Sequence, residues 1–573
     1  MTASDPEIGE VASASGATRT VADCLIDYVR TLRVSTVFGV HGANIEHVFD
    51  AATRSVGVTP VVAKHEFAAG AMADGSARCS GGYGVVVTTS GGGAMNVVPA
   101  LAEAYDSRVP ILAIIGTPPT PLVGAGGFQD MCTPPDTIDL VAVMSGVVGA
   151  CAVVSDPSRL DDALRRACAA LADGYPAALL VPRDVQAAPA AVVLDGPVPV
   201  AADPALRDRV GGIAARLAAV VRDGQTVCVW AGEEASYLQI ADEIDSIAAS
   251  LGSPIVVSPG GRDAIVDPDR CAGVTGVMGH PSAHRALAEA DLILAIGTRM
   301  SVTDRAGLDP VLASRSLIHL GRHRPRCPVV SANPSAEIIE CVDLRETIGW
   351  LAKDLRGHTT PASIAVTIEN LACPTPESPK GLPTRAVIET IGAALGSDSS
   401  VFADAGNTGA AAVHHLPFGG GRFVVALGMG GMGYAIAAGV GQAIASTHTR
   451  QPGRTVVIAG DGAFLMHGME IHTAVEYDAP LTLVLLNNDA HGMCVTREQQ
   501  FFPTTPSVNR FRHTDFGAGL AALFPGLDVR APADIPSLAE ACRELMAAPG
   551  PNCIVVDIDA DEVPPFAPFL TRG

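Results

Sequence analysis

The stretch 456–494, VVIAGDGAFLMHGMEIHTAVEYDAPLTLVLLNNDAHGMC, decides the fold. Residues 456–459 form an unbroken apolar run, the pattern of a parallel strand buried on both faces. The run stops at Gly460-Asp461-Gly462, after which Met469, Ile471, Ala474 and Val475 follow a helical spacing. A second apolar run, 481–486, ends in Asn487-Asn488. A strand-helix-strand unit brings both strand ends to one sheet edge, where their loops share a crevice. Asp461 and Asn488 therefore meet there and offer a carboxylate and an amide oxygen. Hard oxygens with positions left for water and phosphate suit Mg2+. Gly462 and Ala463, small residues at a helix start, let backbone N–H groups approach an anion. The implied ligand is a metal-bound diphosphate.

The same alternation runs outward from this stretch. In the N-terminal third, strands are expected at 36–39, 58–63, 84–88 and 111–115, and helices at 21–32, 67–78 and 96–104. In the middle, strands are expected at 226–230, 254–257, 292–296 and 316–319, with helices at 237–250 and 282–290. Strands alternating with helices predict an α/β chain of three doubly wound parallel sheets. The expected divisions are a loose polar tail 1–18, domains 19–188, 205–355 and 384–573, and two linkers, 186–204 and 356–383, in which proline is frequent.

Length and composition agree, since 573 residues are too many for one core. With 48% hydrophobic and 17% charged residues the chain is a well-buried α/β enzyme type. A net charge of -22 argues against nucleic acid or an anionic membrane as partner. The 13 cysteines are scattered without a C-x-x-C pair, as core residues in a reducing cytosol would be. The acidic, small-residue start has no apolar centre, so a cytoplasmic protein is expected. The uncharged stretch 423–445 has the length of a membrane span, yet its glycines fit a cofactor loop leading into a buried helix.

Gly-Asp-Gly followed at this distance by Asn-Asn resembles the signature of thiamine diphosphate (ThDP) enzymes. The three-domain plan is similar to that of the acetolactate synthase, pyruvate oxidase and benzaldehyde lyase group over nearly the whole chain. The resemblance implies a metal held by Asp461, Asn488 and the main-chain oxygen of Ala490, with Gly460, Gly462, Ala463, Asn407 and Thr408 at the diphosphate. Residues 428–433 (GMGGMG) resemble the family's G-x-G-x-M-G loop. That implies a Gly430 oxygen on the pyrimidine amine and Met432 as the wedge that bends the cofactor. Lys64-His65-Glu66 and the following small-residue segment resemble R-H-E…A-x-G-x-A-R, which implies that Glu66 bonds the aminopyrimidine and relays its proton. On local grounds alone, small apolar neighbours predict a buried Glu66 with a raised pKa, and a helix-starting glutamate favoured by the dipole is equally open. The family resemblance further implies ThDP bound across a subunit interface, in a homodimer or homotetramer.

Residues 37–45 (VFGVHGANI) resemble F-G-L-H-G-A-H-I of benzaldehyde lyase, and 90–96 (SGGGAMN) its A-G-G-G-F-T-N. His41 reads as a substrate-facing proton relay or as a structural loop histidine. Gln129 stands where the family places a glutamine near the bound ketone. His414-His415 lies in the wrong domain for a pyruvate-decarboxylase pair and reads as structural. His491, Met493 and Arg497 are substrate-pocket candidates, Arg497 replacing a tryptophan of acetohydroxyacid synthases. Facing the pocket, Arg497 needs an anionic partner, either Glu498, another carboxylate or the substrate; otherwise it is a surface arginine. Gly297-Thr298-Arg299 and Asp304-Arg305 are similar to the flavin-binding synthases, but Leu320-Gly321-Arg322-His323 replaces their acidic strand end, which argues against FAD. The expected activity is ThDP- and Mg2+-dependent carboligation, of acyloin or acetolactate type, on a 2-oxoacid or aldehyde donor. Non-oxidative 2-oxoacid decarboxylation is the alternative. A non-catalytic ThDP-fold subunit is a third reading, and the joint retention of Glu66, Asp461 and Asn488 argues against it.

Overall fold

The computed structural model describes residues 19–190, 196, 203–357, 366–448 and 453–570; the expected tail 1–18 and parts of both linkers lie outside them. The first sheet comprises β1 (Thr36–Gly39), β2 (Thr59–Val62), β3 (Gly84–Thr88), β4 (Ile111–Thr117), β5 (Ala150–Val153) and β6 (Ala177–Pro182). The middle sheet comprises β7 (Val227–Ala231), β8 (Ile255–Val257), β9 (Cys271–Val274), β10 (Leu292–Ile296), β11 (Ser316–Gly321) and β12 (Ala336–Glu340). The third comprises β13 (Ser400–Ala403), β14 (Arg422–Val425), β15 (Thr455–Gly460), β16 (Leu481–Asn487), β17 (Asp528–Arg530) and β18 (Asn552–Asp557). Every pairing between these strands is parallel. Three doubly wound parallel sheets, as the alternation predicts, therefore make up the molecule.

Central strands such as β3, β4 and β16 are buried at every residue and so carry continuous apolar runs. The edge strands β12 and β17 are partly exposed and lack such a run, which hides them in the sequence; β5 is also partly exposed, although 147–154 is apolar throughout. Two expected helices are divided. The 237–250 pattern is two helices, Glu233–Tyr237 and Ala241–Leu251, separated by Gln239 at φ 51°. The 96–104 pattern is Gly92–Asn96 followed by Val98–Ser107, whose second residue, Pro99, has no N–H to continue the preceding turn.

Strand order fixes where sites can lie. The first sheet runs β2-β1-β3-β4-β6-β5 and the third runs β14-β13-β15-β16-β18-β17, the same order repeated. The middle sheet runs β12-β11-β10-β7-β8-β9, the dinucleotide-binding order. In such sheets ligands bind beyond the carboxyl ends of the strands where the winding reverses. Those points are β1/β3 and β13/β15. The loop after β1 carries His41 and Asn44, and the loop after β3 carries Ser90. The loop after β13 carries Asp404, Asn407 and Thr408, and β15 runs into Asp461.

The first and third domains are joined by the helices Glu66–Ser80 and Tyr434–His448. A methyl on Gly75 would stand 2.5 Å from the Ala438 oxygen, and one on Gly441 2.4 Å from the Met72 Cα. Only glycine at both places lets the backbones approach so closely. The alanines and glycines after Glu66 therefore serve helix–helix packing. They do not bury the Glu66 carboxyl, which sits half-buried at the helix start, contrary to the buried glutamate those residues predict.

The middle domain is joined to the third by histidines. His280 and His414 stack with ring centroids 4.1 Å apart. His280 Nδ1 accepts from the Val274 N–H at 3.0 Å, so Nε2 donates to the His414 oxygen at 3.0 Å. His414 Nε2 accepts from Leu371 N–H at 3.0 Å, and Nδ1 donates to the Met278 oxygen at 2.9 Å. A second proton on either ring would face a donor. Burial and this neighbourhood push the His280 pKa down to about 3 and that of His414 to about 4. The unfolded chain takes up these protons as pH falls below roughly 6.5, so their contribution to stability is complete above that pH and declines below it. The buried acids Asp404 and Asp461, both raised to about 6, act in the opposite sense. The measure is therefore the wild type against His280→Gln in urea. The stability gap between them should narrow by about 2 kcal/mol from pH 7.5 to pH 5. A gap independent of pH would refute the neutral pair.

Candidate cofactor site

Two groups of residues gather at the two equivalent crevices. In the third domain, Asp461 opens the helix Asp461–His467 directly after β15 and is 2% exposed. Burial raises its pKa to about 6. The Ala490 N–H donates at 3.1 Å to Asp461 Oδ2 and at 3.1 Å to Asn488 Oδ1, tying the two oxygens together. Asp489, at φ 51°, makes the turn, which a neighbouring segment pins through Phe511 N–H to the Asp489 oxygen (2.6 Å) and His491 N–H to the Asn509 oxygen (2.9 Å). Asn407 begins the helix Asn407–His415, and its Oδ1 is buried without a hydrogen-bond partner. A Cβ at Gly492 would meet Asn488 Nδ2 at 2.8 Å and Asn407 Nδ2 at 3.0 Å, so both amides lean over that glycine. Gly462 is covered in the same way by His491 Nδ1 at 2.5 Å and Met432 Cε at 3.2 Å. Thr408 Oγ1 lies 3.3 Å from a Cβ placed on Gly460. Amide, hydroxyl and carboxylate groups thus converge on small residues, a cradle shaped for a phosphate and a hard cation.

The loop 428–433 is held at both ends by carboxylates. Glu103 accepts from Gly428 N–H (3.2 Å) and Met429 N–H (2.5 Å), and Asp404 accepts from Gly433 N–H and Ala435 N–H, both at 2.9 Å. Gly430 has φ 64° and no atom within 4 Å of a Cβ position, so its conformation and not crowding requires glycine.

In the first domain, Glu66 Oε2 accepts from Asn96 Nδ2 at 3.0 Å, and Oε1 lies 3.2 Å from a Cβ placed on Gly93. Gln129, at φ 61°, accepts at 3.3 Å from Ser90 Oγ. His41 is exposed, its ring centroid 5.1 Å from that of Phe49. Among the described residues no hydrogen bond or ion pair joins this group to Asp461, Asn488 or Met432.

Residues 19–140 match the thiamine pyrophosphate enzyme N-terminal TPP binding domain, 214–333 the central domain and 404–556 the C-terminal TPP binding domain. The chain belongs to the thiamine pyrophosphate enzyme family. Its relatives are distant. It is 25% identical over 580 residues to acetolactate synthase isozyme 1 large subunit of Escherichia coli K12, covering 96% of each chain. It is 27% identical over 527 residues to the acetolactate synthase large subunit of Parasynechococcus marenigrum, covering 88% of this chain and 81% of that one. It is 28% identical over 531 residues to an acetolactate synthase of Mycobacterium avium, covering 88% and 80%.

Other features of this ThDP-dependent enzyme escape the sequence or lie differently. Asp404 follows an apolar strand run just as Asp461 does, a signal that could have found it. Glu103 has no such signal for its hold on the loop, because its partners there are 325 and 326 residues away. Glu470, buried and with its pKa raised by burial, accepts from Lys64 N–H at 3.1 Å and so steadies the residues before Glu66. Arg497 is exposed with its guanidinium 5.4 Å from the centre of the Phe501 ring, and Glu498 takes Asn509 Nδ2 at 2.7 Å instead of Arg497. Met493 is half-buried on the same helix, Gly492–Phe501. No helix among the described residues is long and apolar enough to cross a membrane.

Proposed function

We propose that this chain binds ThDP with Mg2+ and joins two carbonyl compounds in an acyloin- or acetolactate-type carboligation, transferring an acyl unit to an acceptor carbonyl either from a 2-oxoacid, whose carboxyl group leaves as CO2, or from an aldehyde, which gives up its carbonyl-carbon proton. The observation that carries the reading is the joint Asp461–Ala490–Asn488 arrangement in one crevice, with Glu66 at a helix start in its topological counterpart. The cofactor, when bound, supplies a carbanion equivalent at a ring carbon. Asp461, Asn488 and the Ala490 oxygen hold the metal. Asn407 and Thr408 would hold phosphate oxygens as donors, through the Asn407 amide nitrogen and the Thr408 hydroxyl; Asn407 Oδ1 has no partner that would keep the amide from turning its nitrogen toward them. Met432 and His491, which lie over Gly462, would flank the cofactor there. Glu66 exchanges one proton with a pyrimidine nitrogen, and Asn96 holds its other oxygen in place. The three relatives all carry acetolactate synthase names, which favours ligation as the outcome.

Flavin does not fit. After β7, where a dinucleotide pyrophosphate would rest, the chain reads Gly232-Glu233-Glu234, two carboxylates where an anion would have to approach. Glu233 accepts from Arg299 N–H at 3.0 Å and Glu234 from Arg322 N–H at 2.8 Å, and Asp106 pairs with Arg326 at 2.7 Å and Arg299 at 3.5 Å. The cavity left at this three-domain junction is about 100 Å³. A small-molecule pocket needs roughly 300 Å³ or more.

No hydrogen bond or ion pair among the described residues joins Glu66 or Asn96 to Asp461 or Asn488 within one chain, and the proposal, resting on the family resemblance, is that a second copy supplies one half of the working centre. Met95, Met429, Leu465, Met466 and Met469, all exposed, surround the loops and offer that copy an apolar face. A dimer is thus the smallest active unit, with a tetramer compatible. Mixing inactive Glu66→Gln and Asp461→Ala chains should restore activity, because one of the two sites in a mixed dimer then has both halves intact. No recovery after verified subunit exchange counts against it. The carboligation itself is tested by mass spectrometry of products after supplying ThDP, Mg2+ and a panel of 2-oxoacids and aldehydes. Release of free aldehyde alone, with no ligated product, would replace it by decarboxylation.

A further inference from the structure

A hydrogen-bond chain runs from the Asn44 side chain through Ser90 to Gln129, on a backbone that Gln186 anchors. Gln186, fully buried, donates from Nε2 to the Val181 oxygen at 2.8 Å and to the Asn44 oxygen at 2.7 Å, fixing the loop after β1 against the end of β6. Asn44, itself buried, donates from Nδ2 to Ser90 Oγ at 2.7 Å. The Ser90 hydroxyl, 0% exposed, has one proton, and with Asn44 on a lone pair that proton goes to Gln129 Oε1 at 3.3 Å. Oxygen inward leaves the amide nitrogen of Gln129, with two N–H donors, for the crevice.

The rest of the local structure holds the glutamine in that pose. Its side chain lies on the Gly91 backbone, where a Cβ would stand 2.8 Å from Gln129 Cγ and 2.9 Å from Nε2. Gln129 occupies the left-handed region, an uncommon place for a non-glycine residue. The adjacent Asp130 carboxylate secures the turn, accepting from Gly124 N–H at 2.7 Å, Cys132 N–H at 2.9 Å and Thr133 Oγ1 at 3.1 Å.

We propose that Asn44 and Ser90 are positioning residues that set the polarity of Gln129, so that it meets substrate as a donor and selects for a bare oxygen acceptor, the carbonyl or carboxylate oxygen of a 2-oxoacid. The identity of the substrate rests on the function proposed above; the direction of the chain does not. Asn44→Asp reverses it. In its ionised form a carboxylate at that position has no proton to give, so at a pH high enough to ionise this buried group Ser90 donates to it and accepts from Gln129 Nε2, turning the Gln129 oxygen toward substrate.

Two measurements test this. Neutron diffraction from perdeuterated crystals should place the Ser90 deuteron toward Gln129 Oε1 in the wild type and toward the introduced carboxylate in Asn44→Asp. A wild-type deuteron directed at Asn44 overturns the proposal. The second is calorimetry with oxamate, an unreactive isostere of pyruvate, on protein loaded with ThDP and Mg2+. Asn44→Asp should weaken oxamate binding about ten- to a hundredfold. ThDP affinity should hold while the buried carboxylate lowers the melting temperature, and in pyruvate turnover below that temperature the loss should fall on KM more than on kcat. Ser90→Ala, which frees Gln129 to rotate, should lose less than about tenfold. Equal oxamate affinity in wild type and Asn44→Asp overturns the selective role. A wild type that neither binds oxamate nor consumes any 2-oxoacid refutes the proposed donor class, and the neutron result still decides the relay.

Discussion

Asp461→Ala is expected to abolish Mg2+-dependent ThDP binding and to leave the fold intact. It is the one carboxylate in a ligand set otherwise made of an amide and a main-chain oxygen, so it supplies the only formal negative charge the protein offers the cation. Losing an outer-shell partner of a metal costs about ten- to a hundredfold in affinity, and losing this direct ligand should cost more than about a hundredfold. The fold should not suffer. The Ala490 N–H keeps its bond to Asn488 Oδ1 at 3.1 Å, and the carboxyl that is removed is one whose ionised form burial disfavours. A folded pKa of about 6, above the ordinary carboxylate value, means that ionisation near pH 7.5 works against the cofactor-free fold, so the variant should melt no lower than wild type without ligand. Calorimetric titration with ThDP and Mg2+ is the measurement, and unchanged affinity sinks the ligand assignment.

Glu66→Gln should keep ThDP bound and remove most turnover, about a hundred- to ten-thousandfold, the range for losing one positioned acid–base group. The substitution preserves shape. Asn96 Nδ2, 3.0 Å from Oε2, can still donate to an amide oxygen, and Gly93 leaves room beside the other atom. What is lost is the exchangeable proton. Hydrogen exchange at the reactive ring carbon of bound ThDP, followed by NMR, should slow to the same degree as turnover. Exchange at the wild-type rate, or full activity, would refute the role of Glu66. Because the helix Glu66–Ser80 packs on Tyr434–His448 through Gly75 and Gly441, a change confined to its first residue should leave that interface undisturbed.

The sequence by itself determined the three parallel sheets and the two ends of the cofactor cradle. Strands buried on both faces must be apolar throughout, so β3, β4, β15 and β16 announce themselves, and the residues that interrupt such runs, Asp461 and Asn488, mark the crevice. The partly exposed edge strands β12 and β17 have no such obligation and stayed hidden, whereas the edge strand β2 was legible at 58–63. Tertiary structure alone decided whatever depends on partners distant in the chain. It set Glu66 half-buried at a helix start, since the small residues after it answer to a helix more than 350 positions away. It gave Glu103 its hold on the loop 428–433, His414 its stack on His280, and Arg497 its place over Phe501. It also arranged Asn44, Ser90 and Gln129 in one line, though 46 and 39 residues separate the successive pairs. Periodicity records which face of an element is buried, because burial acts on every residue of that face. A hydrogen bond is made between two groups only, and leaves no repeat in the sequence from which its partner could be read.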